Sequence, residues 1–120
     1  MQKQKPILAV KFFQTATGNE PVREFLQELP KEDRKIMGTD IKEIQFGWPL
    51  GMPLVRKMPS DLWEVRSTLE GRIARTLFTV VSGEMVLLHA FIKKSQKTPK
   101  VDLDLAIKRL AQIKKGGSHG

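Results

Sequence analysis

The chain has 120 residues, 40% of them hydrophobic, which suits one domain with a modest core and excludes a wholly disordered chain. Lys and Arg (21) outnumber Asp and Glu (13), and the net charge of +8 favours a polyanionic partner: nucleic acid, an anionic membrane surface or an acidic protein. The absence of cysteine excludes disulfides, thiol catalysis and Cys-ligated metals, and two histidines disfavour a histidine-rich metal centre or a Ser-His-Asp triad. Without a long apolar run or a signal peptide, a cytoplasmic protein is expected.

The first half of the chain shows a strand pattern and then two helix patterns. β-Branched and aromatic side chains predict a strand over residues 7–13, followed by a turn. Asn19 is a candidate N-cap for a first helix, in which apolar residues recur at helical spacing until Pro30. A second helix is predicted over residues 31–47, so the two form an αα-hairpin.

The next segment is predicted to form most of the sheet. Its prolines and glycine place residues 47–59 in a loop or an irregular edge. Strands are predicted over residues 62–67, 72–81 and 84–93, the last two joined by a tight hairpin at Ser82 and Gly83. The third of these strands is apolar at nearly every position, which indicates burial on both faces.

A final helix completes the chain, with Thr98 as its predicted N-cap and Pro99 at its first position. The element order β-αα-βββ-α predicts a small α+β domain, with two N-terminal helices and a C-terminal helix packed on a largely antiparallel sheet. We assign residues 1–115 to this single domain and residues 116–120 to a flexible tail.

Most of the excess positive charge lies in the C-terminal third of the chain. Residues 93–115 carry eight basic residues against Asp102 and Asp104, a net charge of +6. A charge run is often only a solvated face. Here the lysines follow directly after an apolar strand, so the fold fixes where they emerge, which favours a binding role.

Several motifs occur in a fixed order along the second half of the chain. They are Leu62-Trp63-Glu64-Val65-Arg66, then Arg75-Thr76-Leu77-Phe78, then Leu87-Leu88-His89-Ala90-Phe91-Ile92-Lys93-Lys94-Ser95-Gln96-Lys97-Thr98-Pro99, and a helix with Ala106 and Arg109. With them the chain resembles the phage-derived, HigB-like branch of the RelE/ParE toxin superfamily, over residues 7–113.

That resemblance implies a RelE/ParE-like fold and a function. Such proteins are toxins of type II toxin–antitoxin systems, usually ribosome-dependent mRNA endonucleases. A small helix-turn-helix, HigA-like antitoxin would hold the toxin inactive, and the complex would bind operator DNA. Membrane association and a cofactor are not expected.

The composition suits metal-free RNA cleavage, in which the ribose 2′-hydroxyl attacks the neighbouring phosphate. This reaction needs a base for the hydroxyl, cations for the charge on phosphorus and an acid for the leaving oxygen. Arginine supplies a bidentate cation, and lysine can act as base or acid when neighbouring cations lower its pKa. No metal ligand set is expected.

The resemblance, more than the pattern, selects the candidate catalytic residues. Arg75 stands where the family places a phosphate-binding arginine, and Arg66 ends the preceding strand on the same face as Glu64. A salt bridge between Arg75 and Glu64 is the structural alternative, although an arginine at the polar start of a strand is not expected in the core. Lys93 and Lys94 complete the catalytic candidates, and alternation points only one of them into a given cleft.

Three further basic residues are candidates for RNA binding: Lys97, Arg72 and Lys100. His89 lies in an apolar run and is interpreted as a satisfied core histidine, despite the usual role of histidine as a general base. The chain has no tyrosine, which many relatives carry near the C-terminus, and Phe78 cannot exchange a proton. The general base and acid therefore stay unassigned.

Two other functional classes remain open. A ParE-like toxin would poison DNA gyrase without catalysis, which the missing proton-transfer side chains favour and the retained arginines disfavour. A degenerate member would mainly bind its antitoxin and operator DNA.

Overall fold

The computed structural model describes residues 5–93 and 98–115, and it is an α+β fold of three helices and a five-stranded sheet. The elements in chain order are β1 (Ala9–Phe12), α1 (Pro21–Glu28), α2 (Lys31–Gly47), β2 (Val55–Met58), β3 (Leu62–Leu69), β4 (Arg72–Val81), β5 (Glu84–Lys93) and α3 (Lys100–Lys115). The predicted tail at residues 116–120 lies outside the described residues.

The sheet is largely antiparallel, as predicted. Its strand order is β1-β5-β4-β3-β2, and the pairing of β1 with β5 is its one parallel pair among the described residues. Ser82 and Gly83 have φ values of 50° and 78°, which matches the tight hairpin predicted between β4 and β5. Strand β2 lies within the segment predicted as loop or irregular edge, and as an edge strand it tolerates the flanking Pro53 and Pro59.

Helices α1 and α2 pack on one face of the sheet. Val22, Ile41 and Ile44 of these helices form a buried cluster with Val65 and Phe78 of the sheet. The extent of α2 is as predicted, but the N-cap prediction for α1 is wrong. The cap position is Glu20, whose side chain makes no capping hydrogen bond, because the backbone of Asn19 is instead bonded into a turn with Thr15.

Helix α3 covers the opposite face, here called the α3 face. Its Ala106 and Leu110 pack in a second cluster with Leu62, Leu77 and Leu88. Because only part of this face is apolar, α3 covers the end of the sheet where these leucines lie. No helix among the described residues combines the length and apolarity needed to cross a membrane.

Polar contacts also hold α3 along its length. Arg109 Nη1 donates to the carbonyl oxygen of Leu88 at 2.7 Å, and burial lowers the pKa of its guanidinium. At the C-terminal end Lys114 Nζ lies 3.0 Å from a carboxylate oxygen of Asp61, and this bond lowers the pKa of Asp61. The position of α3 on the sheet is thus fixed by specific bonds as well as by apolar packing.

Candidate functional site

The strand register places both candidate arginines on the α3 face. Arg66 of β3 pairs with Arg75 of β4, and Arg75 pairs with Phe91 of β5. Residues paired across neighbouring strands share a face, so the three form one row. Arg66 and Phe91 are half-buried. The prediction that Arg66 and Glu64 share a face agrees with this register, since Glu64 lies two residues before Arg66 on β3.

Arg75 forms a buried ion pair. Its Nη1 atom donates to Glu64 Oε1 at 2.9 Å, and the two side chains are 1% and 0% exposed. The expectation that an arginine at the start of a strand lies outside the core is wrong here. Glu64 lies two residues before Arg66 on β3 and is also buried. Its carboxylate supplies the compensating charge that makes burial of a guanidinium tolerable. The structural alternative for Arg75, a salt bridge to Glu64, is therefore present.

Thr98 extends this buried pair to the start of α3. Its hydroxyl donates to the second carboxylate oxygen of Glu64 at 2.5 Å, while Pro99 offers its carbonyl oxygen to the N–H of Leu103. The hydroxyl hydrogen of Thr98 therefore bonds to a side chain of the sheet, Glu64 of β3. Glu64 thereby links β3, β4 and the chain entering α3, which fixes where α3 begins.

Arg66 lies at the border of a cleft. Its backbone N–H donates to the carbonyl oxygen of Leu54 at 2.9 Å, and the residue lines a cleft of about 460 Å³ between β3 and α2. Asp40 and Glu43 of α2 line the same cleft. Two carboxylates disfavour a phosphate inside this cleft, so RNA bound by Arg66 would have to lie over the α3 face.

The candidates for RNA binding are spread over the fold. Arg72 pairs with Leu69 at the far end of β4 and forms an ion pair with Asp33 at the start of α2. Alternation places it on the face opposite Arg75, so the structure does not bring it together with the candidate arginines. Lys100 is exposed at the first residue of α3.

The lysine candidates lie where β5 ends. Lys93 is the last residue of β5, and its backbone pairs with Ile73, one row beyond the pair of Arg75 and Phe91. Lys94 and Lys97 lie outside the described residues. The described backbone thus brings Lys93 to the same end of the sheet as Arg66.

His89 was interpreted as a core histidine, but in the structure it is half-buried and bonded to α3. Its Nε2 lies 2.6 Å from Asp102 Oδ1, its side chain is 17% exposed, and its ring stacks on Phe91 with centroids 5.5 Å apart. The register shifts between Leu77 and Phe78, so that Leu88 is an extra residue and His89 pairs with Leu77 on the α3 face. Simple alternation from Leu87 would have placed His89 in the opposite, apolar layer.

The aromatic residue at position 78 belongs to the core. Phe78 is fully buried, and its ring lies near Trp48 and Trp63 at centroid distances of 5.7 and 6.1 Å. It has no free face for a base. Phe91, half-buried in the row of the two arginines, was not predicted as a site residue, and only the register could have revealed its position. Among the described residues, no group of three His, Asp or Glu side chains could hold a metal ion.

The family model described as phage derived protein Gp49-like (DUF891) matches residues 24–111, about three quarters of the chain. The chain belongs to this family. The Gp49-like family is a RelE/ParE-like toxin family, so the resemblance to that superfamily is confirmed at this level. A search of curated proteins finds none that matches the chain.

The Gp49-like match runs from α1 into α3. It includes Arg66, Arg75, Glu64, His89 and the lysine candidates, and it leaves out β1. The whole candidate site therefore lies within the part of the chain that the family model describes.

Proposed function

We propose that this Gp49-like chain is the HigB-like toxin of a type II toxin–antitoxin system and that it cleaves ribosome-bound mRNA without a metal ion. The observation that carries the proposal is the row of Arg66, Arg75 and Phe91 on the α3 face, inside a chain of the toxin family. Arg66 is the half-buried cation of this row, and together with the half-buried ring of Phe91 it is suited to a phosphate and its base.

In the proposed mechanism the two arginines have different roles. Arg66 is half-buried and its guanidinium contacts the scissile phosphate, where it stabilises the charge that builds as the 2′-hydroxyl attacks. Arg75 is held by Glu64 of the neighbouring strand and acts as a positioning residue that keeps β3 and β4 in place beneath the bound RNA. Lys93 and Lys94 are the remaining candidates for the cation or proton donor at the end of β5.

The proposal includes a partner. We infer that a HigA-like helix-turn-helix antitoxin covers the basic C-terminal stretch, and that the complex binds operator DNA. The net charge of +6 over residues 93–115 supports this inference, because an uncovered basic surface binds RNA non-specifically.

The test is translation with purified ribosomes, factors and mRNA. The proposal expects truncated mRNA fragments with the parent chain, and a loss of about 10²–10³ in cleavage rate for Arg66→Ala. Arg23→Ala changes an exposed arginine of α1 on the other side of the sheet, so it is the matched control and should cleave like the parent. Intact mRNA with the parent chain would refute the endonuclease activity.

The burial of Arg75 favours a second candidate function. An arginine sequestered by Glu64 cannot bind a phosphate in this conformation, which is what a non-catalytic, ParE-like toxin would show. A DNA gyrase supercoiling assay separates the two candidates: inhibition of supercoiling together with intact mRNA would favour the ParE-like function.

A further inference from the structure

Beyond Leu87, no strand among the described residues covers the outer edge of β5. Strand β1 pairs with β5 only as far as Leu87, and the last backbone bond between them runs from the N–H of Phe13 to the carbonyl oxygen of Leu87, at 3.0 Å. The next carbonyl oxygen, that of Leu88, accepts the bond from Arg109. Residues 89–93 of β5 therefore lie at an open edge of the sheet.

The register shows which backbone groups of this segment point outward. The N–H of Arg66 points toward β2, so the backbone groups of Arg75, its partner in β4, point toward β5. Those of Phe91, which pairs with Arg75, point back toward β4. Because neighbouring residues of a strand direct these groups to opposite sides, the N–H and C=O groups of Ala90 and Ile92 point to the open edge.

A groove of about 310 Å³ lies beside this edge, between α1 and α3. His89 and Ala90 line it on the sheet, and Arg109 lines it from α3. Glu24 and Glu28 line it from α1, where both are exposed. An open strand edge at the base of a groove is a template for an added strand.

Helix α1 follows this part of β5. Val22 lies in the same buried cluster as Ala90. Leu26, one helical turn later, packs with Ile92 against a third cluster. The two glutamates of the groove are also one turn apart, a rise of about 6 Å, which is close to the ~6.7 Å between alternate residues of a strand.

The two walls of the groove differ in charge. An added strand directs its alternate side chains to opposite faces of the sheet, so one set lies beside α1 and the other beside α3. Two basic residues at alternate positions would match Glu24 and Glu28. An acidic residue between them would match Arg109 on the other wall.

We propose that this groove binds an extended segment of another protein, which adds as a strand beside residues 89–93. Basic residues at alternate positions of the segment pair with Glu24 and Glu28, and an acidic residue between them pairs with Arg109. The two carboxylates disfavour RNA here. A second copy is also disfavoured, since a two-fold axis at this edge would bring the glutamates of both copies together. The proposal is independent of the proposed function, because none of these groups is placed at the phosphate.

The experiment measures the binding of a capped, fluorescent peptide, Val-Lys-Glu-Lys-Val, to the purified chain by fluorescence anisotropy. The peptide Val-Val-Glu-Lys-Lys has the same composition but places its lysines on opposite faces of a strand, so it should bind about tenfold more weakly. Glu24→Lys and Glu28→Lys should each weaken binding of the alternating peptide about tenfold, because like charges then face each other. Glu70→Lys makes the same charge change at an exposed residue after β3, two strands away, and should leave binding within about twofold.

Methylation of the peptide backbone tests the hydrogen bonds of the added strand. Methyl groups on one alternate set of amide nitrogens replace the hydrogens that the carbonyl oxygens of Ala90 and Ile92 accept, and binding should be lost. On the other set they point to solvent, and binding should persist.

Equal effects of the two methylated sets would overturn the proposal. Failure of the alternating peptide to bind the parent chain would do the same, as would unchanged binding by both glutamate variants. A dimer of the parent chain that the peptide dissociates would give the groove to a second copy instead.

Discussion

At the scale of residues, the buried charge of Arg75 requires a buried carboxylate close by, and Glu64 supplies it. Burying a guanidinium removes its solvation, which a nearby carboxylate offsets, and Glu64 supplies that carboxylate from the neighbouring strand β3. The pair also accepts the Thr98 hydroxyl, so three elements depend on one carboxylate. The same arrangement that secures the fold keeps Arg75 away from solvent.

Removing either partner of this pair should therefore destabilise the fold. We expect Arg75→Ala and Glu64→Ala each to lower the free energy of unfolding by about 3–5 kcal/mol, because each leaves an uncompensated buried charge. Urea unfolding of both variants measures this. The double variant Arg75→Met/Glu64→Leu, similar in volume and uncharged, should recover most of the loss.

A catalytic role of Arg75 makes the opposite prediction for stability. If Arg75→Ala unfolds at the urea concentration of the parent chain, the guanidinium is not paired as the structure shows. Loss of mRNA cleavage in that stable variant would then indicate that Arg75 contacts the scissile phosphate.

At the scale of elements, the start of α3 rests on Thr98. Replacing Thr98 with Val should lower the free energy of unfolding by about 1–3 kcal/mol, because the buried Glu64 carboxylate loses a donor. Thr98→Ser keeps the hydroxyl and is the matched control. Thermal or urea unfolding of the three chains checks the prediction, and equal losses for Val and Ser would point to packing instead of the hydrogen bond.

The elements themselves were largely readable from the sequence. Helical spacing of apolar residues after Pro30 predicted α2, and apolar or β-branched runs bounded by turn residues predicted β3, β4 and β5. Strand β2 was not predicted within its loop because a strand of four residues between Pro53 and Pro59 carries too short a pattern. The bulge at Leu88 was not readable either, as it depends on the register with β4.

The candidate site was less readable than the fold for a physical reason. Arg75 is paired with the buried carboxylate of Glu64, and that carboxylate is also bonded by Thr98 from 34 residues away, so the buried pair depends on contacts between distant segments of the chain. Local alternation correctly placed Arg66 and Glu64 on one face. It could not show that a helix closes over part of that face.

At the scale of the whole molecule, the basic excess is the basis for the proposed partner. Co-expression with the protein of an adjacent reading frame should give a tight complex that covers residues 93–115, where the net charge is +6. Size-exclusion chromatography of the co-expressed pair measures this. Expression of the chain alone without growth inhibition would contradict both the toxicity and the need for a partner.

The chemistry proposed for the site needs no divalent ion. Cleavage by the 2′-hydroxyl should leave products ending in a 2′,3′-cyclic phosphate or its opened form, and it should persist when a chelator removes free metal. Ribosomes must be kept intact by polyamines, so that the chelator acts on the toxin alone. Loss of cleavage under these conditions would refute the metal-free mechanism.

The salt dependence of RNA binding tests whether the basic residues of α3 contact phosphates. Binding of the chain to a single-stranded RNA should weaken steeply with salt, because each phosphate contact releases counterions, with a slope of about −0.7 per contact. Lys100 and Lys108 are exposed on α3, within the basic stretch, and each Ala variant should make the slope shallower by about 0.7 if that lysine contacts a phosphate. Lys42→Ala, exposed on α2 on the other side of the sheet, should leave the slope unchanged. Equal slopes for all four chains would mean that α3 is only a solvated face, and a flat response of the parent would remove the electrostatic basis for RNA binding altogether.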